Sequence, residues 1–318
     1  MNTEKQTKRR GGFTVMARLI GLVKPLSGFM ILAILMGLAG NLCASFITIL
    51  GGYAILEVLG IGAGISLGAI FTLAVLFALV RAGLRYAEQS CNHFIAFKLL
   101  ALIRDKVFKA MRRLSPAKLE GKDKGNLVSV ITSDIELLEV FYAHTISPTC
   151  IAILTCLIML IFIGRYSIWL SLVALAAYIT VGAVIPLVSS RLNKNAGMTY
   201  RDGSGALSGF VLDSMRGLLE SIRYNSTDKR LEEMDKKTDE LNSLQNKLKK
   251  IEGHTGAVTD IAIIFFSVAM LLTGIALYQK GVIGFDGMIV STVSMMSSFG
   301  PVAALSGLAG NLTHTLAA

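Results

Sequence analysis

Residues 65–114 read ISLGAIFTLAVLFALVRAGLRYAEQSCNHFIAFKLLALIRDKVFKAMRRL. The first part of this stretch is apolar and the rest strongly charged, yet nothing in it stops a helix. Proline is absent, and glycine occurs only at Gly68 and Gly83. At about 1.5 Å per residue the stretch predicts a rod of roughly 75 Å, more than twice the ~30 Å apolar thickness of a bilayer. More than half of such a helix must project out of the lipid.

Outward from this stretch, the chain contains six uncharged apolar runs long enough to cross a bilayer. They lie at approximately Leu26 to Leu56, Ile61 to Val80, Ala143 to Ile163, Ile168 to Val188, Ile261 to Tyr278 and Gly287 to Ala318. With 53% of its 318 residues hydrophobic and only 16% charged, the chain is far from the composition of a soluble domain. The fold class expected is all-α, a polytopic membrane protein of six long transmembrane helices with cytoplasmic extensions.

The net charge of +10 is unevenly distributed. Six Lys and Arg precede the first run, eleven lie between the second and third, and twelve between the fourth and fifth; Arg165 and Lys280 alone serve the other connections. The positive-inside rule therefore puts both ends of the chain in the cytoplasm of a cell with a plasma (inner) membrane. Residues 1–25 form a basic N-terminal segment and residues 26–318 one membrane domain, with cytoplasmic hairpins over about 81–142 and 190–258. The charge belongs to loops, and no nucleic-acid partner is called for. Lys8, Arg9 and Arg10 ahead of an apolar run resemble a secretory signal, but the run is too long and lacks a cleavage site, so a retained first helix is expected.

From Leu187 to Thr259 the residues Leu231, Met234, Leu241, Leu244, Leu248 and Ile251 recur at threes, fours and sevens among charges, an amphipathic helix packed on others. Each projection breaks once, at Ser115 and Pro116 in the first and around Arg216 and Gly217 in the second. Two long hairpins with a short cross-piece at each tip suit the docking of a partner and the transmission of its motion.

At these breaks the sequence resembles the transmembrane domain of ABC exporters of the six-helix, long-intracellular-loop type. The first match is Arg104, Phe108, Leu114, Pro116, Gly125, Asn126, Leu127, Val128, Ser129, Thr132, Ser133 and Asp134; the second runs from Asp213 through Gly217 and Glu220 to Arg223 and Tyr224. Residues Arg85, Tyr86, Glu88, Gln89, Asn92 and His93 are similar to the bacterial branch of thiol-reductant exporters linked to cytochrome bd assembly. The resemblance implies coupling helices at Ser115, Pro116, Ala117, Lys118, Leu119 and Glu120, and at Met215, Arg216, Gly217, Leu218, Leu219 and Glu220. It further implies a dimeric permease, with a second half identical or different, that alternates between inward-facing and outward-facing states.

No Gly-x-x-x-x-Gly-Lys-Ser/Thr phosphate loop occurs, so this chain is not expected to be an enzyme by itself. The string Leu305 to Gly310 is similar to the ABC signature but lies in an apolar run without polar continuation, and is set aside. ATP and magnesium are expected in an ATPase domain that this chain lacks, supplied in cis or in trans. The helical ending at Leu316, Ala317 and Ala318 suggests a chain cut from a longer protein, in preference to a chain that pairs with a separately encoded ATPase.

No nucleophile beside a base and no acidic cluster lies within the runs, so no catalytic residues are expected. Cys43, Cys91, Cys150 and Cys156, like His93, His144, His254 and His314, lack metal-binding spacing, and no metal or other cofactor is expected in this chain. Ser291, Ser294 and Ser298 fall at i, i+3, i+7 on the sixth run, which either lines a translocation path or lets helices pack closely; Asn41 carries the same two readings. Pro148, Pro186 and Pro301 are each expected to kink a span. Without buried charge, a neutral or amphipathic small-molecule cargo is favoured. Two other classes compete: a secondary transporter, for which midplane ionisable residues are missing, and a membrane-anchored scaffold or sensor.

Overall fold

The computed structural model describes residues 24–61, 64–114, 145–192 and 194–317, and every element in them is helical. A 3₁₀ turn over Lys24–Leu26 leads into α1 (Ser27–Val58), followed by α2 (Leu67–Leu114) and α3 (Ser147–Gly164). The fourth span is divided into α4 (Ile168–Ile179), a π turn (Thr180–Val184) and α5 (Ile185–Leu192). A hairpin follows, made of α6 (Lys194–Arg216), the short α7 (Leu218–Arg223) and the start of α8 (Thr227–Gln279); α9 (Phe285–Ala317) is last. Among the described residues six helices are long and apolar enough to cross a membrane, in agreement with the six runs, and the chain is a multi-pass membrane protein. The 48 residues of α2 amount to ~72 Å of helix, close to the rod read from the sequence.

Three of the helix ends are set by the same chemistry. Gly60 and Gly281 adopt φ of 72° and 70° after α1 and α8, a backbone state that glycine alone enters freely. In each case the two amides past the helix turn back to its last carbonyls: Gly60 N to Glu57 O and Ile61 N to Leu56 O, then Gly281 N to Tyr278 O and Val282 N to Leu277 O. Asn225, at φ 49°, closes α7 in the same way.

The sixth span, α9, lies at the centre of the bundle and packs on α1, α3, α4, α5, α6 and α8. Met159, Ala174, Ala177, Val181, Met270, Val290 and Met295 make up the core around it, all fully buried. Glycines bring the backbones together: a Cβ on Gly274 would stand 3.0 Å from Met288 Cγ, and one on Gly182 2.9 Å from Val302 Cγ1. By contrast α2 packs chiefly on α1, and apart from Ile70 its buried apolar contacts, among them Ile95, Leu99 and Ile103, lie past its apolar run, against Leu26, Met30 and Ala33.

Two of the three prolines stand beside a π turn. Pro148 lies in the first turn of α3, directly after the π-helical residues Thr145 and Ile146. Pro186 follows the π turn, which absorbs the bond proline cannot make, and Pro301 lies inside α9.

Candidate functional site

A cavity of about 330 Å³ opens between α1, α2, α3 and α9. Gly37, Gly40 and Asn41 contribute from α1, Pro148 and Ile151 from α3, and Gly300, Pro301 and Ala304 from α9. The chemistry comes from α2, whose Arg81, Arg85, Glu88, Gln89 and Asn92 share one face at i, i+4, i+7, i+8 and i+11. Glu88 is 3% exposed and accepts from Arg85 Nη1 at 2.8 Å. Asn92 is 4% exposed, and its Oδ1 has no hydrogen-bond partner among the described residues.

The depth of these groups matters. Arg81 lies fourteen residues past Leu67, ~21 Å along the helix and so within an apolar slab of about 30 Å. Charge at such depth faces a cavity or a partner, since lipid cannot solvate it. The burial of Glu88 corrects the expectation that no charge is buried. Sequence reasoning placed Arg81 and Glu88 in the projection because the apolar run ends at Val80. The run from Ile61 to Val80 begins before the helix does: from Leu67 only fourteen apolar residues precede Arg81, too few to span a bilayer, so Arg81 still lies in the membrane.

The four residues read as a possible path are separated. Asn41 lines the cavity and donates from Nδ2 to Gly37 O at 2.8 Å. Ser291, Ser294 and Ser298 are fully buried and do not reach it. Ser294 Oγ donates to Val290 O, Ser298 Oγ donates to Met295 O, and Ser298 also meets the hydroxyl of Tyr178 across the α4–α9 contact. Of the two readings left open for this serine face, these bonds match close packing. A second cavity, about 430 Å³ and mostly apolar, runs between α5 and α8 along Val184, Val188, Ile251 and Val258.

Of the two expected tips, Ser115 to Glu120 lie outside the described residues. The second is the hairpin of α6, α7 and α8. Gly203 lets α6 approach α8, since a Cβ there would sit 3.4 Å from Leu241 Cδ1. The guanidinium of Arg230 and the ammonium of Lys237 lie 5.3 and 5.5 Å from the ring centre of Phe210. Gly217 breaks the helix between α6 and α7 at φ −92°, a value open to any residue, so the break does not depend on glycine. Met215, Arg216, Leu218, Leu219 and Glu220 are all exposed around it. Ile222 and Tyr224 extend this apolar face, with Tyr224 82% exposed.

Comparison with known proteins fits this arrangement. The chain is similar over 309 residues, at 42% identity, to a probable ABC transporter ATP-binding/permease protein of Haemophilus influenzae, covering 97% of this chain and 56% of that protein. It is 26% identical over 156 residues to the glutathione/L-cysteine transport system ATP-binding/permease protein CydC of the same organism, covering 49% of this chain and 27% of the relative. It is 25% identical over 201 residues to the corresponding CydD protein of Bacillus subtilis, covering 62% and 34%. The chain therefore spans about half or less of the length of these relatives. Residues 30–302 match the ABC transporter transmembrane region, so six spans, a projecting hairpin and the sequence relationship agree, and the chain belongs to that family.

Proposed function

We propose that this chain is the permease half of an ATP-driven exporter, pairing with a second permease half to enclose a translocation path that alternates in access. The hairpins and both chain ends lie in the cytoplasm, below the plasma (inner) membrane. ATP and magnesium bind in ATPase domains outside this sequence, whose approach moves the hairpins. The observation that carries this reading is the tip of the second hairpin. A six-residue helix, Leu218–Arg223, stands across the end of two long helices and offers Leu218, Leu219 and Ile222 to a partner. Apolar side chains held that far from lipid fit the docking surface of a protein.

The charged cavity and the relatives named as glutathione/L-cysteine transport systems support a small polar thiol as cargo, passing Asn41 on its way. Coupling is tested by Leu219→Asp in the complete transporter reconstituted in liposomes. The expected result is a transport-to-hydrolysis ratio lowered about tenfold, with ATP hydrolysis retained, because a charge replaces a desolvated anchor. A ratio equal to that of the unaltered protein overturns the docking assignment.

A further inference from the structure

The charges that face the cavity do not balance. Arg85 and Glu88 satisfy one another at 2.8 Å, whereas Arg81 has no ion-pair partner among the described residues. Two guanidiniums, both exposed, stand against one buried carboxylate on this face of α2. The pair itself is seated by α1: a Cβ on Gly37 would stand 2.9 Å from Glu88 Cδ and 2.3 Å from Ile151 Cδ1, so only a bare backbone leaves the carboxylate its room. Asn41 occupies the Gly37 carbonyl and keeps it from competing for donors in the cavity. Asn92, one turn past Glu88, presents a buried Oδ1 that lacks a donor.

We infer that the cavity reads a carboxylate. Arg81 receives the carboxylate of the cargo, Asn92 Oδ1 accepts from an N–H of the same molecule, and the Glu88–Arg85 pair, seated against Gly37, holds the second guanidinium without neutralising the first. Glu88 is a positioning residue in this scheme and makes no contact with cargo. The inference rests on the proposal that the cavity is the cargo site.

The test uses the complete transporter in liposomes and two probes that differ only in one carboxylate, N-acetylcysteine and N-acetylcysteinamide. Arg81→Gln is expected to raise KM for the acid about tenfold while leaving its kcat, and both constants for the amide, within twofold, because a charge-assisted bond is lost. Glu88→Gln removes the one negative charge on this face and frees Arg85, and should lower KM for the acid alone, whereas Glu88→Asp, which keeps the charge, should restore the unaltered value in part. Equal effects of Arg81→Gln on the two probes, no effect on either, or transport of neither probe by the unaltered protein overturns the inference. Ala304→Trp, which fills the cavity, separates the two readings. If transport survives that substitution, the cavity is not the path and both fall. If it stops transport while Arg81→Gln leaves the acid-to-amide preference unchanged, the cargo site stands and the carboxylate reading falls.

Discussion

Two spans apolar enough to cross a membrane have opposite surroundings in this molecule, and the less apolar of them is the more buried. In α9, 44% of the apolar window is buried by neighbouring helices, whereas in α2 the share is 6%. In water such an exposed helix would be unstable, but in lipid the hydrophobic effect does not distinguish helix from acyl chain. What separates the two is packing: α9 carries small residues and buried hydroxyls that lock to neighbours, and α2 carries Phe71, Val75, Leu76 and Leu79 facing outward. Burial therefore marks where the bundle is rigid, and apolarity marks only where the membrane is.

The sharpest way to break this contrast is to delete packing at α9. Met295 is fully buried, and Met295→Ala should cost about 2–4 kcal/mol through the cavity it leaves, seen as a large drop in thermal unfolding temperature in detergent. A shift comparable to that of a surface residue would mean α9 is not the packed centre. Next, Ser298→Ala removes the partner of the Tyr178 hydroxyl across the α4–α9 contact, for an expected loss of about 0.6 kcal/mol in the same assay. Leu79→Ala on α2, 69% exposed, should have the smallest effect, within about 0.5 kcal/mol for the isolated chain. Repeating it in the assembled transporter sharpens the contrast further, because a loss that appears only there assigns the outer face of α2 to a protein neighbour.

The same contrast explains what the sequence made legible. Span number and the long α2 followed from apolar runs and the lack of proline, since the lipid forces every backbone group into a helix. The second tip followed from heptad-like leucines and the break at Gly217, although Gly217 is not in a conformation that requires glycine. The cavity did not follow, because a hydropathy reading ends a span at the first charge whereas the apolar slab has a fixed thickness. Arg81 was assigned to water for that reason. The serines of α9 were seen to share a face, as they do, but periodicity says which residues point together and not toward what. Only the neighbours, Tyr178 above all, decide that.

The π turn at Thr180–Val184 divides the fourth span unequally, and it lies where Gly182 meets Val302, one residue beyond Pro301. On one side α4 is twelve residues, ~18 Å, pinned in the core; on the other, α5 has eight residues, ~12 Å, and α6 a further 23, ~35 Å. This is a fulcrum placed close to one end of a beam. A rotation of about 5° there shifts the short arm by under 2 Å, within what side chains absorb, and sweeps the distant end through ~4 Å, near the spacing of one helical turn.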